Sequence, residues 1–237
     1  MRAFNIQPLD TKAMETCRYR IDNLTKPIYS LAMLETIAER FAGVLANPKP
    51  NHLKYGVLIV GADHLVDGPQ NVEHGHTSLN VIKRFNEGMS ATQGAAFKLQ
   101  APVYVVNIGL EQDTTHLANI DSRVIRNGSH FFGVEPSISH DELEQALEMG
   151  FAYADKLHEA GLQVVALGNI GERTFLDALV TTATITGASY ETLLTESDNG
   201  PTIAQRAAHI HSFVDPFDIA VDDWSVLSES DRRTAVL

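Results

Sequence analysis

The sequence predicts an α/β fold built on a doubly wound parallel sheet. Three short apolar runs, residues 55–60 (YGVLIV), 103–108 (VYVVNI) and 163–167 (QVVAL), are too short and too rich in Val and Ile to be helices. Their continuous apolarity is that of strands covered on both faces. Helix-period segments joined by short links alternate with these runs, the pattern of strand, helix and strand that winds a parallel sheet.

The elements follow in order. A Pro-marked segment, residues 24–30, leads into an amphipathic helix with Leu31, Leu34, Ile37, Ala38 and Phe41 on its apolar face, ending at a loop over 47–51. After the first strand, residues 78–85 and 91–99 have helical spacing. Ser139 and Glu142 form a capping box for a helix running to about Ala160, with Leu143, Leu147, Phe151 and Ala154 on one face and Gly161 as its stop. The third strand is followed by a helix with Phe175, Leu176, Leu179, Val180 and Ala183 inward. Asp198, Asn199, Gly200 and Pro201 mark a turn into a helix over 201–213. From Val214 onward six acids face two arginines, the composition of a solvated or partner-bound helix.

Charge and composition exclude several classes. The 237 residues carry 18 Lys and Arg against 30 Asp and Glu, a net charge of −12, so no basic surplus exists to neutralise nucleic-acid phosphates. The charge-free apolar stretches 56–62 and 101–110 are far shorter than the roughly 20 residues that span a bilayer. With a polar N-terminus, the expectation is a cytoplasmic protein with no membrane partner. The single cysteine, Cys17, cannot form an intrachain disulfide and reads as a buried bystander thiol.

In an open parallel sheet ligands bind beyond the carboxyl ends of the strands. Those ends carry Gly61-Ala62-Asp63-His64, Gly109-Leu110-Glu111 and residues 168–174 (GNIGERT). In the third, Gly168 and Gly171 are expected to straddle a strand-to-helix turn whose helix aims its free N–H groups at a phosphate, with Arg173 adding charge. The competing reading is glycines that allow a tight turn. His64, His74 and His76, with Glu73, offer ligands of the kind a metal-dependent hydrolase uses, but the set lacks a second cluster, and the expectation is no metal.

The residues resemble a known family. Residues 20–27 (RIDNLTKP) and 30–35 (SLAMLE) are similar to the R-L-D-x-L-T-K-P-P-G-S-L-G-x-L-E opening of nicotinate-nucleotide:dimethylbenzimidazole phosphoribosyltransferases. In the same order, 61–64 (GADH) resembles their A-A-D-H-G strand end, 85–96 their N-F-L-R-G-G-A-A-I-N helix, and 126–129 (RNGS) their R-x-G-T loop. Residues 135–139 (EPSIS) with 146–150 (ALEMG) resemble E-P-A-M-T…A-x-x-x-G, 168–171 fall at G-E-M-G-I-G-N-T-T, and Arg206 falls near the lysine of their R-K helix. The resemblance spans roughly residues 18 to 220.

It implies a Rossmann-like sheet with a small helical domain from the chain ends: residues 1–50 and 201–237 around a nucleotide-binding domain over 51–200. It also implies a homodimer, or a heterodimer with a full-length relative, and a reaction without cofactor that moves phosphoribose from nicotinate mononucleotide to an aromatic base such as 5,6-dimethylbenzimidazole. The site residues it implies are Gly168, Asn169 and Gly171 for phosphate or ribose, Arg126, Ser129 and Arg206 for the anion rim, and Asp63, Glu73 and Asn80 for the base. For Asp63 and Asn80 helix capping competes with this role.

The sequence also departs from the pattern. The family's G-E-G-T-G-A segment, with its expected catalytic glutamate, does not occur in it, Asn169 replaces a glutamate, and Asn107 stands where an aspartate is usual. Glu73, His74 and Asn80 replace Tyr, Pro and Gln around the base, and Ile28-Tyr29 replaces Pro-Gly. Glu172 is the one carboxylate of the glycine loop able to serve as base; a first-turn carboxylate favoured by the helix dipole is its competing reading. A divergent enzyme and an inactive nucleotide-binding subunit both fit these losses.

Elemental analysis of protein purified without chelator is expected to show substoichiometric zinc and manganese. One tightly held ion per chain, lost in His74→Ala, contradicts that expectation.

Overall fold

The computed structural model describes residues 6–66, 77–132 and 136–189. Glu73, His74, His76, Arg206 and the helix and acidic tail expected over 201–237 lie outside the described residues. The chain divides into two compact units, the second beginning at Tyr55.

The first unit holds two helices, α1 (Thr11–Asp22) and α2 (Met33–Val44). The sequence reading missed α1, whose buried stripe is only Ala13, Cys17 and Ile21 between charged residues. Its start is nonetheless encoded, since the Asp10 side chain accepts from the Ala13 N–H at 2.9 Å. The expected inward face of α2 is corrected. Leu34 is 65% and Ile37 44% exposed, and Leu31 precedes the helix; what faces α1 is Glu35, Ala38, Ala42 and Gly43. Small residues win because the helices pack closely: a Cβ on Gly43 would lie 2.7 Å from the Met14 side chain.

Glu35, 1% exposed, holds this unit together. Its carboxylate receives Lys26 Nζ at 2.7 Å, the Leu31 N–H at 3.0 Å and an Arg18 nitrogen at 3.3 Å, while Arg18 also reaches Glu39 at 2.7 Å. The loop between the helices, which passes through left-handed backbone at Tyr29 (φ 58°) and Ala32 (φ 46°), is thereby fastened to the first turn of α2.

The second unit contains β1 (Tyr55–Ala62), β2 (Leu65–Val66), α3 (Thr77–Asn86), α4 (Ala91–Lys98), β3 (Val103–Gly109), β4 (Asp121–Ser122), β5 (Phe131–Phe132), α5 (His140–Glu159), β6 (Val164–Ile170) and α6 (Thr174–Thr186). Its main sheet is parallel, in the order β4-β3-β1-β6, with Val57 opposite Val103 on one side and Ala166 on the other; β2 and β5 form a separate parallel pair. Alternate residues serve the two faces. Ile59, Val105 and Ile170 pack with Ile82 and Phe85 of α3, and Leu58 and Val106 with Tyr153 and Leu157 of α5. The doubly wound α/β expectation is met.

Three details differ from expectation. The buried line of α5 runs through Tyr153 and Leu157 instead of Phe151 and Ala154, because the Tyr153 hydroxyl donates to Asp121 of β4 at 2.6 Å. That bond, with Arg123 and Lys156 beside it, holds Asp121 below the usual carboxylate range, while burial pushes the phenol up. The strand expected to end at Leu167 continues through Gly168 and Asn169 to Ile170. And Ala166 and Leu167 are exposed, so β6 is not covered on both faces; its outer edge has no strand neighbour among the described residues. No helix among the described residues is long and apolar enough to cross a membrane.

Because its partners hold the Glu35 carboxyl below the usual carboxylate range, the stability it supplies is present above that range and lost as pH falls through the lowered value. Cys17, buried between the helices, reports their opening. Labelling of Cys17 by 4,4′-dithiodipyridine at neutral pH is expected to be about tenfold faster in Glu35→Gln. Toward acid pH the wild type is expected to lose protection through this group and the variant to show no such limb.

Candidate functional site

The order β4-β3-β1-β6 reverses direction about β1: the chain reaches β3 by way of α3 and α4, then returns by way of α5, packed on the other face, to β6. The loops after β1 and β6 therefore flank the switch point, outside which open α/β sheets bind ligands in a crevice.

Asp63, the first residue beyond β1, closes the loops around it. It is 3% exposed. Oδ1 accepts the Glu172 N–H at 2.7 Å; Oδ2 accepts the Glu111 N–H at 2.8 Å and the Ser78 hydroxyl at 3.1 Å. The ends of β1, β3 and β6 and the start of α3 thus converge on one carboxylate. The backbone repeats the link: Asp63 N–H donates to the Gly109 carbonyl, Ser129 N–H to the Asp63 carbonyl and His64 N–H to the Glu172 carbonyl, at 2.9 to 3.0 Å.

The glycines divide by task. A Cβ on Gly171 would run into the carbonyl of Ala62, so the β6 loop crosses the β1 loop at a distance only glycine permits. Gly168, expected in that turn, lies within β6 opposite Ile59, and a Cβ there would come 2.6 Å from the Ile59 side chain, so its smallness serves packing. Asn169 is exposed near the end of β6. At the end of β3, Asn107 is fully buried; its Oδ1 accepts the Gly109 and Leu110 N–H groups at 3.0 and 2.8 Å while its Nδ2 donates to Thr114 Oγ1 at 2.7 Å. An aspartate lacks that donor.

Around the crevice the charged groups are placed as follows. Glu172 Oε1 lies 3.4 Å from the Ser78 N–H in the first turn of α3, and Glu172 precedes α6. The reading of it as a first-turn carboxylate of α6 is therefore corrected: it leans on α3. Arg173 adopts left-handed backbone (φ 60°) at the start of α6 and lies 3.4 Å from the His64 carbonyl. His64 stands 3.9 Å from Asp177. Asn80 is exposed on α3.

The anion-rim candidates separate. Ser129 is buried, its Oγ accepting the Leu65 N–H at 2.8 Å and donating to the His130 carbonyl at 2.7 Å, so the hydroxyl joins the loop to β2. Arg126 lies 3.6 Å from Glu142 of the α5 capping box, which also meets His130 at 3.2 Å and is held below the usual carboxylate range chiefly by the Ser139 N–H. Ser78, Glu111 and Glu142 were not singled out as site residues in the sequence. Each carries a positional signal: Glu111 at a strand end, Ser78 at a helix start and Glu142 in the capping box of α5. Among the described residues no three His, Cys, Asp or Glu side chains converge to hold an ion.

Asp63→Asn preserves shape but turns one acceptor into a donor, setting an NH₂ against the Glu172 or Glu111 N–H. The expected loss is about 1 to 3 kcal/mol in urea unfolding, with faster amide exchange in the loops after β1 and β6. Unchanged stability and exchange contradict the clasp.

A family model described as "Phosphoribosyltransferase" matches residues 6–214. The nicotinate-nucleotide–dimethylbenzimidazole phosphoribosyltransferase of Chloroflexus aggregans is 33% identical over 185 residues, 77% of this chain and 52% of that protein. The enzyme of the same name from Chromobacterium violaceum is 34% identical over 189 residues, 78% of this chain and 54% of its own. Among solved structures, CobT from Thermus thermophilus superposes with a TM-score of 0.66 at 26% identity, over 74% of this chain and 53% of that one. The chain spans about half the length of the curated relatives it matches. On the strength of the pattern over residues 6–214, this chain belongs to the nicotinate-nucleotide–dimethylbenzimidazole phosphoribosyltransferase family.

Proposed function

We propose that this chain binds nicotinate mononucleotide in the switch-point crevice and transfers its phosphoribosyl group to an aromatic base such as 5,6-dimethylbenzimidazole, in cobalamin lower-ligand synthesis in the cytoplasm. The observation that carries this reading is the convergence of the family's strand-end motifs on Asp63 at the β1/β6 switch point.

In the reaction the bond from ribose C1′ to the pyridine nitrogen breaks and its electron pair leaves with nicotinate. The ring nitrogen of the incoming base that bears a free lone pair bonds to C1′, and the proton on the base's other ring nitrogen passes to a general base, giving the α-riboside 5′-phosphate. The chain's share is to hold the phosphate, bear the positive charge developing at C1′ and take the proton. Backbone N–H groups at the start of α6 with Arg173 and the exposed Asn169 serve the phosphate and ribose. Asn80 and Glu73 serve the base side, Arg126 and Arg206 the anion rim, and Glu172 is the carboxylate that accepts the proton. Asp63 and Ser129 act through the loops they fasten.

A second reading is favoured by one observation: Asn169 stands where the family carries a glutamate. In that reading it is a nucleotide-binding subunit that pairs with a relative contributing a catalytic carboxylate.

Purified chain, nicotinate mononucleotide and 5,6-dimethylbenzimidazole are expected to give α-riboside 5′-phosphate about 10² to 10⁴ times more slowly than a full-length homologue, the worth of a general base. Chromatography measures the product. Glu172→Gln is expected to remove the residual turnover, and Arg173→Ala to weaken nucleotide binding in calorimetry. Binding without turnover that a full-length partner restores identifies the subunit; absence of nucleotide binding overturns both readings. Gly171 is unsuited to this test, because any side chain there parts the β1 and β6 loops.

A further inference from the structure

We infer that the groove between α5 and the β4 edge of the sheet is a second binding site, for a small monocarboxylate with an apolar body. Beyond Ser122 the chain keeps pairing with β3, through the Arg123 N–H to the Asn107 carbonyl and the Ile125 N–H to the Ile108 carbonyl, both at 2.8 Å. Facing this segment, Gln145, Glu148, Met149, Ala152 and Lys156 fall within one stripe of α5 roughly 100° wide, beside the buried Tyr153 and Leu157. The two sides bound a cavity of about 630 Å³, the size of a small-molecule site and more than a single ion fills. It is separate from the switch point, because β4 lies two strands from β1, roughly 10 Å away.

The groove carries two cations that the fold aims. Arg123 Nε donates to Asp121 Oδ1 at 2.9 Å, which fixes the guanidinium while both terminal nitrogens stay without a partner among the described residues. Those nitrogens form the planar pair that matches a carboxylate. Lys156 Nζ lies 3.8 Å from Asp121 Oδ2 and over the rings of Tyr104 and Tyr153, 5.5 and 4.9 Å from their centroids. Asp121 is in turn held by the Tyr153 hydroxyl. Arg123 and Lys156 nonetheless remain 60% and 51% exposed, so they are positioned without being covered.

Charge and lining select the ligand. Asp121 offsets one of the two cations and leaves one positive charge, enough for a monoanion; a phosphate dianion would exceed it beside a fixed carboxylate. Glu148 stands about 12 Å from Lys156 along the helix axis, beyond the screening length of roughly 8 Å at physiological salt. Between them Met149 and Ala152, with Val124 and Ile125 of the edge segment, offer no side-chain hydrogen-bonding group to a sugar or a peptide. The body that fits there is alkyl or aryl.

This site is independent of the transfer chemistry, and its test does not use turnover. Saturation-transfer and amide-shift titrations of the full chain with 4-phenylbutyrate are expected to show binding, with shifts at residues 121–125 and 145–156. The uncharged isostere 4-phenylbutyramide is expected to bind about tenfold more weakly, as is the carboxylate to Arg123→Gln. Ala152→Phe, which fills the apolar stretch from an exposed position and leaves both cations, is expected to block the probe with circular dichroism unchanged. No transfer to the carboxylate at millimolar concentration overturns the proposal, as do equal binding of the amide and binding that survives both substitutions. Should Arg123→Gln loosen β4, seen as faster exchange there, Ala152→Phe decides alone. A probe that nicotinate mononucleotide displaces from wild type and Ala152→Phe alike is seated at the switch point, which also overturns it.

Discussion

One buried carboxylate organises the ligand edge of the sheet. Asp63 receives hydrogen bonds from groups 15, 48 and 109 residues further along the chain. Hydrogen bonds to a charged acceptor contribute roughly 1.5 to 3 kcal/mol each, against several kcal/mol for burying the ion. The net stability is therefore modest, but the geometric result is large. A loop after a parallel strand has no ladder to direct it, and three such loops otherwise settle independently. Shared acceptance by a single carboxylate couples their positions, so a crevice between them has fixed walls.

The close approach at Gly171 depends on that coupling. With Ala62 bulged out of register opposite β3 and its carbonyl facing Gly171, the β1 and β6 loops touch backbone to backbone. Asn107 does for β3 what Asp63 does for the set, capping the strand's exit with two accepted N–H bonds while donating to Thr114. An aspartate there accepts the same two bonds and reverses the third, the Thr114 hydroxyl then donating to it. Asn107 therefore preserves the wall while changing the charge behind it by one unit.

The sheet was legible because its information is local. The runs 55–60 and 103–108 are apolar but for Asn107, as strands packed between α3 and α5 must largely be, and the Ser139–Glu142 capping box marks the start of α5 to the residue. Family motifs located Asp63, but not what it holds, since nothing in Ser78, Glu111 or the Glu172 amide signals a common partner before the chain folds. Gly168 and Gly171 look alike in sequence; only the neighbours Ile59 and Ala62 separate a packing glycine from a crossing one. The face of α2 was misread for a related reason. Periodicity finds the large apolar stripe, whereas the close contact with α1 selects small residues and a carboxylate with cationic partners, which carry no apolar signal.

In both units, then, the residues that fix a loop are distinct from those turned outward. Glu35 and Gly43 hold the helical pair while Leu34 and Ile37 face out, and Asp63, Ser129 and Gly171 hold the crevice while Asn80, Asn169 and Arg173 stand around it. A change in the outward set alters what is bound at little cost to the fold, since exposed substitutions are usually worth less than about 0.5 kcal/mol. A change in the inward set moves every loop at once. Two of the departures of this sequence from its family follow that division: Asn80 and Asn169 are outward, whereas Asp63 and Gly171, on which the loops depend, keep the family residue; the buried departure, Asn107, still accepts the two N–H bonds that fix the exit of β3. Divergence distributed in this way changes the chemistry offered to a ligand and leaves the frame that presents it intact.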